Sequence, residues 1–99
     1  MTKLSEKQKK SLRGLAHGKD PLARVGNPGL TASLVKEIQA QLLAHELIKV
    51  KVMVGDREER DRIIERMCAA TKAVLVQRIG NMAVLYKRHP KKPKIELPK

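Results

Sequence analysis

Aromatic side chains are nearly absent from this chain of 99 residues, which has no tryptophan, no phenylalanine and one tyrosine, Tyr86. RNA recognition modules of the RRM type stack several bases on aromatic residues, and this composition excludes that mode. The only cysteine, Cys68, has no partner for an internal disulfide, and no histidine or cysteine spacing is typical of a zinc site. We therefore expect a reducing cytoplasmic environment and no cofactor or metal.

Long apolar runs are also missing, because none approaches the roughly 20 residues that a membrane-spanning helix needs. Residues 1–7 contain no apolar stretch of the kind found in secretory signals, so we expect neither a leader nor a membrane partner. What is abundant is positive charge: 22 Lys and Arg stand against 10 Asp and Glu, a formal charge of +12. Such an excess on a folded domain favours binding to nucleic acid phosphates.

The excess charge lies at the two ends of the chain. Residues 1–19 hold six basic residues and one acidic residue, a net charge of +5. Residues 20–86 hold ten basic and eight acidic residues, a net charge of +2, and residues 87–99 hold six basic and one acidic, a net charge of +5. The arginines of residues 57–66 alternate with acids, which is typical of a solvated helix face. We expect one domain over residues 1–88, followed by a basic tail of residues 89–99 whose prolines and lysines disfavour a helix.

Three helices are predicted from capping residues and apolar spacing. Ser5, with Gln8 three positions later, is a capping-box signal for a helix that runs to about His17. Thr31 is expected to cap a second helix and Asp56 a third. The expected inward positions are Leu4, Gln8, Leu12, Leu15 and Ala16, then Leu34, Val35, Ile38 and Leu42, and finally Ile63, Ile64, Met67 and Ala70.

Four strands are predicted, at residues 22–25, 47–54, 73–79 and 82–87. The second is the clearest, because β-branched residues alternate there with Lys49 and Lys51. Gly80-Asn81 predicts a hairpin between the last two strands. The order α-β-α-β-α-β-β indicates an α/β chain of the two-layer α+β kind, with a four-stranded mixed sheet and helices mainly on one face. The sheet is expected to be covered on one side only.

A glycine loop stands between the first predicted strand and the second helix, where Gly26-Asn27-Pro28-Gly29 precedes Thr31. Free N–H groups and the positive end of a helix dipole favour an anion, and glycines allow a sugar-phosphate chain to come close. A G-x-x-G pattern alone is weak evidence, since two glycines around a turn are more often only a turn.

Four segments carry a further signal: residues 12–17 (LRGLAH), 26–31 (GNPGLT), 45–52 (HELIKVKV) and 84–88 (VLYKR). Together they resemble the CRM domain, the chloroplast RNA splicing and ribosome maturation module, in its bacterial stand-alone YhbY type. The resemblance covers nearly the whole chain. It implies an RNA-binding protein without catalysis, similar in fold to the C-terminal domain of translation initiation factor three. It also implies association with ribosomal RNA in precursors of the large ribosomal subunit, as an assembly factor.

The resemblance places the family's RNA-contacting G-x-x-G loop on Gly26 to Gly29. Family members commonly carry a lysine or another polar residue inside that loop, whereas the inner pair here is Asn27-Pro28. Pro28 has no N–H to donate and Asn27 has no charge. The loop itself is therefore expected to bind phosphate more weakly than a loop with a lysine at these positions. More of the affinity is then expected from Lys7, Lys9, Lys10 and Arg13, with Arg24 and the basic tail assisting.

Several alternatives remain open from the sequence. Lys49 and Lys51 are either plain exposed residues or a second RNA contact, and Tyr86 either stacks one base or packs at the edge of the core. The chain is also compatible with a basic adaptor that docks an acidic protein. A small hydrolase has no support, because His17, His45 and His89 lack a partner at catalytic spacing. A monomer without a small-molecule substrate is expected.

Overall fold

The computed structural model describes residues 3–99, in which three helices accompany one four-stranded sheet. Met1 and Thr2, part of the segment considered as a secretory signal, lie outside the described residues. The elements are α1 (Glu6–Ala16), β1 (Ala23–Val25), α2 (Ala32–His45), β2 (Leu47–Val52), α3 (Arg57–Thr71), β3 (Val74–Ile79) and β4 (Met82–Tyr86). The predicted α+β class with a mixed four-stranded sheet is confirmed.

Helix starts are set by the capping residues that the sequence indicated. Ser5 and Gln8 form the reciprocal capping box: the Gln8 N–H donates to Ser5 Oγ at 3.1 Å, and the Ser5 N–H donates to Gln8 Oε1 at 3.0 Å. The other two caps are Thr31 Oγ1, which accepts from the Leu34 N–H at 3.1 Å, and Asp56 Oδ1, which accepts from the Glu59 N–H at 2.9 Å. Each cap satisfies an N–H that has no partner within its helix.

The sheet has the strand order β1-β2-β4-β3. Strands β1 and β2 are parallel, and the pairs β2/β4 and β4/β3 are antiparallel, so the predicted hairpin around Gly80 is confirmed. A register shift between Leu75 and Gln77 marks an irregularity in β3, which is an edge strand. The other edge, β1, has only three residues.

One face of the sheet packs against α2 and α3. Its core contains inward residues of both helices and of the three strands nearest to them: Ala23, Val25, Ile38, Leu42, Ile48, Val50, Val52, Ile63, Ile64, Met67, Ala73, Ala83 and Leu85. The alternation of β2 is visible here, since every second residue from Ile48 to Val52 is buried on this side. Ala70, predicted to face inward from α3, is exposed instead.

The other face of the sheet is also covered in part, so the prediction of an uncovered face was wrong. Helix α1 and the tail pack on it, and the second core cluster contains Leu4, Leu12, Ala16, Leu47, Val76, Val84 and Tyr86, with Val74, Ile95 and Leu97 packed against it. The lysines of β2 suggested a solvated face, but apolar residues of β3 and β4 dominate the half that α1 covers. Leu15 is 50% exposed, so the packed stripe of α1 is narrower than the predicted one.

The tail is held on the protein by one buried carboxylate. Glu46, between α2 and β2, is completely buried, and its Oε2 accepts from the His89 N–H at 2.7 Å. Its Oε1 accepts from the N–H groups of Lys94 at 2.7 Å and Ile95 at 2.8 Å. Burial acts to raise the pKa of Glu46, but these three hydrogen bonds and the charge of His89 outweigh it and hold the pKa below its ordinary value.

Candidate nucleic-acid interface

The G-x-x-G loop forms a tight turn between β1 and α2. The Gly29 N–H donates to the Gly26 carbonyl oxygen at 2.8 Å, and Asn27 and Pro28 form the exposed tip. Gly29 has a φ of 76°, in the left-handed region, and a Cβ there would meet no atom within 4 Å. Glycine is therefore favoured at position 29 because of its backbone conformation, and not because a side chain would lack space.

Gly26 has no comparable structural reason to be glycine. Its φ lies outside the left-handed region, and a Cβ would meet only Pro28 Cδ, at an ordinary contact distance of 3.9 Å. The missing side chain instead leaves the backbone open to close approach from outside.

The N–H donors near the loop come from the turn and from the start of α2. Within the turn Pro28 has no N–H and the Gly29 N–H is used, which leaves the N–H groups of Gly26 and Asn27. The N–H groups of Ala32 and Ser33, at the first positions of α2, have no carbonyl partner within the helix and lie at its positive end. A phosphate at this position would therefore meet donors of both the turn and the helix start.

The basic residues next to the loop are Arg24, Lys49 and Lys51. Arg24 is exposed on β1, two residues before Gly26, and pairs in register with Lys51 on β2. Lys49 Nζ donates to the His17 carbonyl oxygen at 3.4 Å. Within residues 3–99 the ion pairs are Lys9 with Glu6 at 3.9 Å and Arg78 with Asp61 at 2.8 Å, so these three cations take part in none.

The lysines of α1 do not gather around the loop. Lys7 and Lys10 are exposed and Lys9 is half-buried, but the first turns of α1 lie beside the tail, where Gln8 Nε2 donates to the Pro98 carbonyl oxygen at 3.1 Å. Only the end of α1, near Arg13 and His17, approaches Lys49. The structure thus brings Arg24 next to the loop, whereas the α1 lysines belong to a helix whose first turns lie beside the tail.

The surroundings of Tyr86, Cys68 and His89 explain these residues by their structural contacts. Tyr86 is 4% exposed and packs in the second core cluster, so it cannot stack a base. Burial and the charge of Glu46 raise the pKa of its phenol, against a smaller opposing effect of Arg88. Burial raises the pKa of the Cys68 thiol to about 11, which keeps it protonated and unreactive. His89 Nδ1 accepts from the N–H groups of Lys91 and Lys92, at 3.1 and 2.9 Å.

The sequence reasoning did not identify Glu46 as a structural residue. The available signal was a single acidic residue directly before the predicted strand at residues 47–54 of a basic chain. Its role depends on residues more than 40 positions away, which local periodicity does not connect to it.

Membrane-spanning helices and metal sites are two other features that residues 3–99 lack. None of the helices there is long and apolar enough to cross a membrane. In the same part of the chain, no group of three or more His, Cys, Asp or Glu side chains is arranged to hold a metal ion.

Known proteins resemble this chain along most of its length. An RNA-binding protein of Haemophilus influenzae is 48% identical over 99 residues, covering 100% of this chain and 99% of the relative. The probable RNA-binding protein YqeI of Bacillus subtilis is 40% identical over 95 residues, which cover 96% of this chain and 99% of the relative. The solution structure of a Staphylococcus aureus protein, proposed to bind RNA, matches with a TM-score of 0.83 and 38% identity, covering 97% of this chain and 100% of that one. The CRS1/YhbY (CRM) domain matches residues 4–87, and the chain therefore belongs to this family.

Proposed function

We propose that this protein binds RNA, and that its ligand is ribosomal RNA in precursors of the large ribosomal subunit. The observation that carries the proposal is the loop: Gly26, a glycine that the fold does not require, lies between exposed Arg24 and the positive end of α2. RNA binding is supported by the relatives, which are named for it. The choice of ribosomal RNA and a role in subunit assembly rest on the resemblance to the CRM domain.

The proposed mechanism is electrostatic and does not involve catalysis. Phosphates would contact the start of α2 and Arg24, and the basic face of α1 would extend the contact along the molecule. The protein would act as a monomer that holds or shields an RNA element while the subunit matures.

The test is the affinity of the purified protein for a large-subunit rRNA fragment at several salt concentrations. The loop variant combines Asn27→Asp with Pro28→Asp, both at the exposed tip. The control combines Arg62→Ala with Arg66→Ala, two exposed arginines of α3 that alternate in sequence with acids. Each double variant lowers the net charge of +12 by two, so the change in net charge is the same in both.

We expect the loop variant to bind at least about tenfold more weakly and the control to lose less than about threefold. Equal losses would show that net charge alone determines affinity and would refute a role for the loop. Binding that survives in cell extract after nuclease treatment would instead favour an acidic protein partner. Urea unfolding of each variant checks that the fold is unchanged.

A further inference from the structure

One row of the sheet remains uncovered beside the loop. Strand pairing sets Arg24 opposite Lys51, Lys51 opposite Met82, and Met82 opposite Ile79. Paired residues point to the same face of a sheet, so these four side chains form a row across all four strands. With neighbouring strands roughly 4.8 Å apart, the row is about 14 Å long. We call these four residues the open row.

The cover provided by α1 and the tail ends before the open row. On the same face, Leu47, Val84 and Tyr86 are buried beneath that cover. In the open row, Arg24 is exposed, Lys51 and Met82 are half-buried, and Ile79 is 60% exposed. An isoleucine this exposed on an edge strand is not explained by packing within the protein.

The open row has two chemical halves. Arg24 and Lys51 provide two cations on β1 and β2, and neither takes part in the ion pairs found within residues 3–99. Met82 and Ile79 provide an apolar surface on β4 and β3. An unpaired nucleotide offers the matching halves, because its phosphate is anionic and its base presents a flat apolar face. A duplex buries those base faces in its own stack and would match only the cationic half.

The open row also connects the two parts of the candidate interface. Arg24 is two residues from Gly26, and the Met53 N–H donates to the Val25 carbonyl oxygen at 2.9 Å, which ties the end of β2 to the strand that leads into the loop. On the other side, the bond from Lys49 Nζ to His17 joins β2 to the end of α1. The open row therefore lies between the loop and the end of α1, on a path that RNA in contact with both can take.

We propose that the open row binds a short unpaired RNA segment that continues from the phosphates held at the loop. This inference rests on the proposed function and extends it, because it adds a contact surface and a preference for single-stranded RNA next to a structured element. It also assigns Lys51 to the interface, together with Ile79 and Met82. The apolar contacts are aliphatic, so we expect them to tolerate any base.

The experiment compares two RNAs, a hairpin and the same hairpin with an unpaired extension, by fluorescence anisotropy at fixed salt. The open-row variant combines Lys51→Gln with Ile79→Thr, which keeps a β-branched residue on the edge strand. The matched control combines Arg66→Gln with Leu43→Thr, since Arg66 is exposed on α3 and Leu43 is 54% exposed on α2. Each pair removes one positive charge and one exposed apolar side chain.

We expect the wild type to prefer the extended RNA by about tenfold, and the open-row variant to lose most of this preference while binding the bare hairpin within about twofold of wild type. The control should behave as wild type. The inference is overturned if the wild type binds both RNAs alike or if the open-row variant keeps the preference. Failure of the wild type to bind either RNA would refute the proposed function as well.

A second measurement does not depend on variants. Photo-crosslinking from thiouridine placed in the extension should label the peptide that contains Ile79 and Met82. Crosslinks confined to α1 or the tail would overturn the inference. So would a concentration-dependent dimer in sedimentation that the open-row variant abolishes, because the row would then be occupied by a second copy of the chain.

Discussion

The two ends of β2 lie about 17 Å apart, at roughly 3.3 Å for each of its residue steps, and they use their polar groups differently. At the tail end, Glu46 is buried and its carboxylate accepts three backbone N–H groups. At the loop end, Asn27, Pro28 and Arg24 are exposed. The guanidinium group of Arg24 is not part of an ion pair within residues 3–99.

The two ends differ in how their backbone is held. The backbone N–H groups of Lys91, Lys92 and Lys94 are used within the protein, and Lys94 Nζ donates to the Ala44 carbonyl oxygen at 2.7 Å, although the Lys91 and Lys92 side chains are exposed. At the loop end no comparable set of hydrogen bonds holds the exposed tip of Asn27 and Pro28. We therefore expect substitutions at the tail end to affect mainly stability and those at the loop end to affect mainly binding.

The largest effect is expected from Glu46→Ala, which leaves three N–H groups of the tail without their acceptor. Hydrogen bonds to a charged group contribute about 1.5 kcal/mol or more each, and these three are partly buried, so the free energy of unfolding should fall by roughly 3 kcal/mol. Urea denaturation measures it. Glu96→Ala, which removes an exposed acid of the same tail, is the control and should change stability by less than about 0.5 kcal/mol. A loss below about 1 kcal/mol for Glu46→Ala would contradict the anchoring role.

The same carboxylate should make stability depend on pH. Because the pKa of Glu46 is lowered in the folded protein, its contribution is complete above the unfolded pKa of about 4.3 and is lost as the pH falls through the folded value. The gap in unfolding free energy between wild type and Glu46→Gln should therefore narrow between pH 7 and pH 3. Urea denaturation series at each pH provide the measurement, and a constant or widening gap would disagree with this assignment.

At the loop end, two alanine substitutions should separate backbone conformation from binding. Gly29→Ala places a side chain at a φ of 76° and should cost roughly 1–2 kcal/mol of stability. Gly26→Ala is not strained and should leave the unfolding free energy within about 0.5 kcal/mol of wild type. Thermal or urea unfolding of both proteins tests the pair, and equal losses would mean that both glycines are structural.

Gly26→Ala should nevertheless weaken RNA binding, because the added methyl group keeps a phosphate chain away from the loop backbone. We expect a loss of about threefold to tenfold in affinity for an rRNA fragment. Unchanged affinity in anisotropy titrations would show that the loop backbone is not approached closely.

The smallest effect is expected from neutralising the tail with Lys91→Ala and Lys92→Ala. Both side chains are exposed, and their backbone N–H groups can still bond to His89. Affinity for RNA should fall by no more than about twofold, and the salt dependence of binding should change less than for Arg24→Ala. A larger loss than that of Arg24→Ala would place the tail at the centre of the interface.

Much of the fold was predictable because its signals are local. The caps at Ser5, Thr31 and Asp56, the alternation in β2 and the hairpin at Gly80 each depend on a few neighbouring residues, and each is confirmed. The glycine loop before α2 was located from the same kind of information. Its role and those of Lys7, Lys9, Lys10, Arg13 and Arg24 stay predictions that the RNA titrations test.

The position of α1 was not predictable in the same way. Its apolar stripe shows that one side must be buried, but not which face of the sheet it covers. That choice depends on the apolar residues Val76, Val84 and Tyr86, which belong to strands far along the chain. The prediction of a bare face failed because it considered the lysines of β2 without their neighbours in β4 and β3.

The sequence by itself determined the order of helices and strands, the charge of +12 and the glycine loop, because these depend on residue identity and short spacings. Tertiary structure decided that Glu46 holds the tail, that α1 covers one part of a sheet face, and that Arg24, Lys51, Met82 and Ile79 share its uncovered row. The reason is that strand register and burial join residues from distant parts of the chain, and only the folded backbone establishes which of them meet.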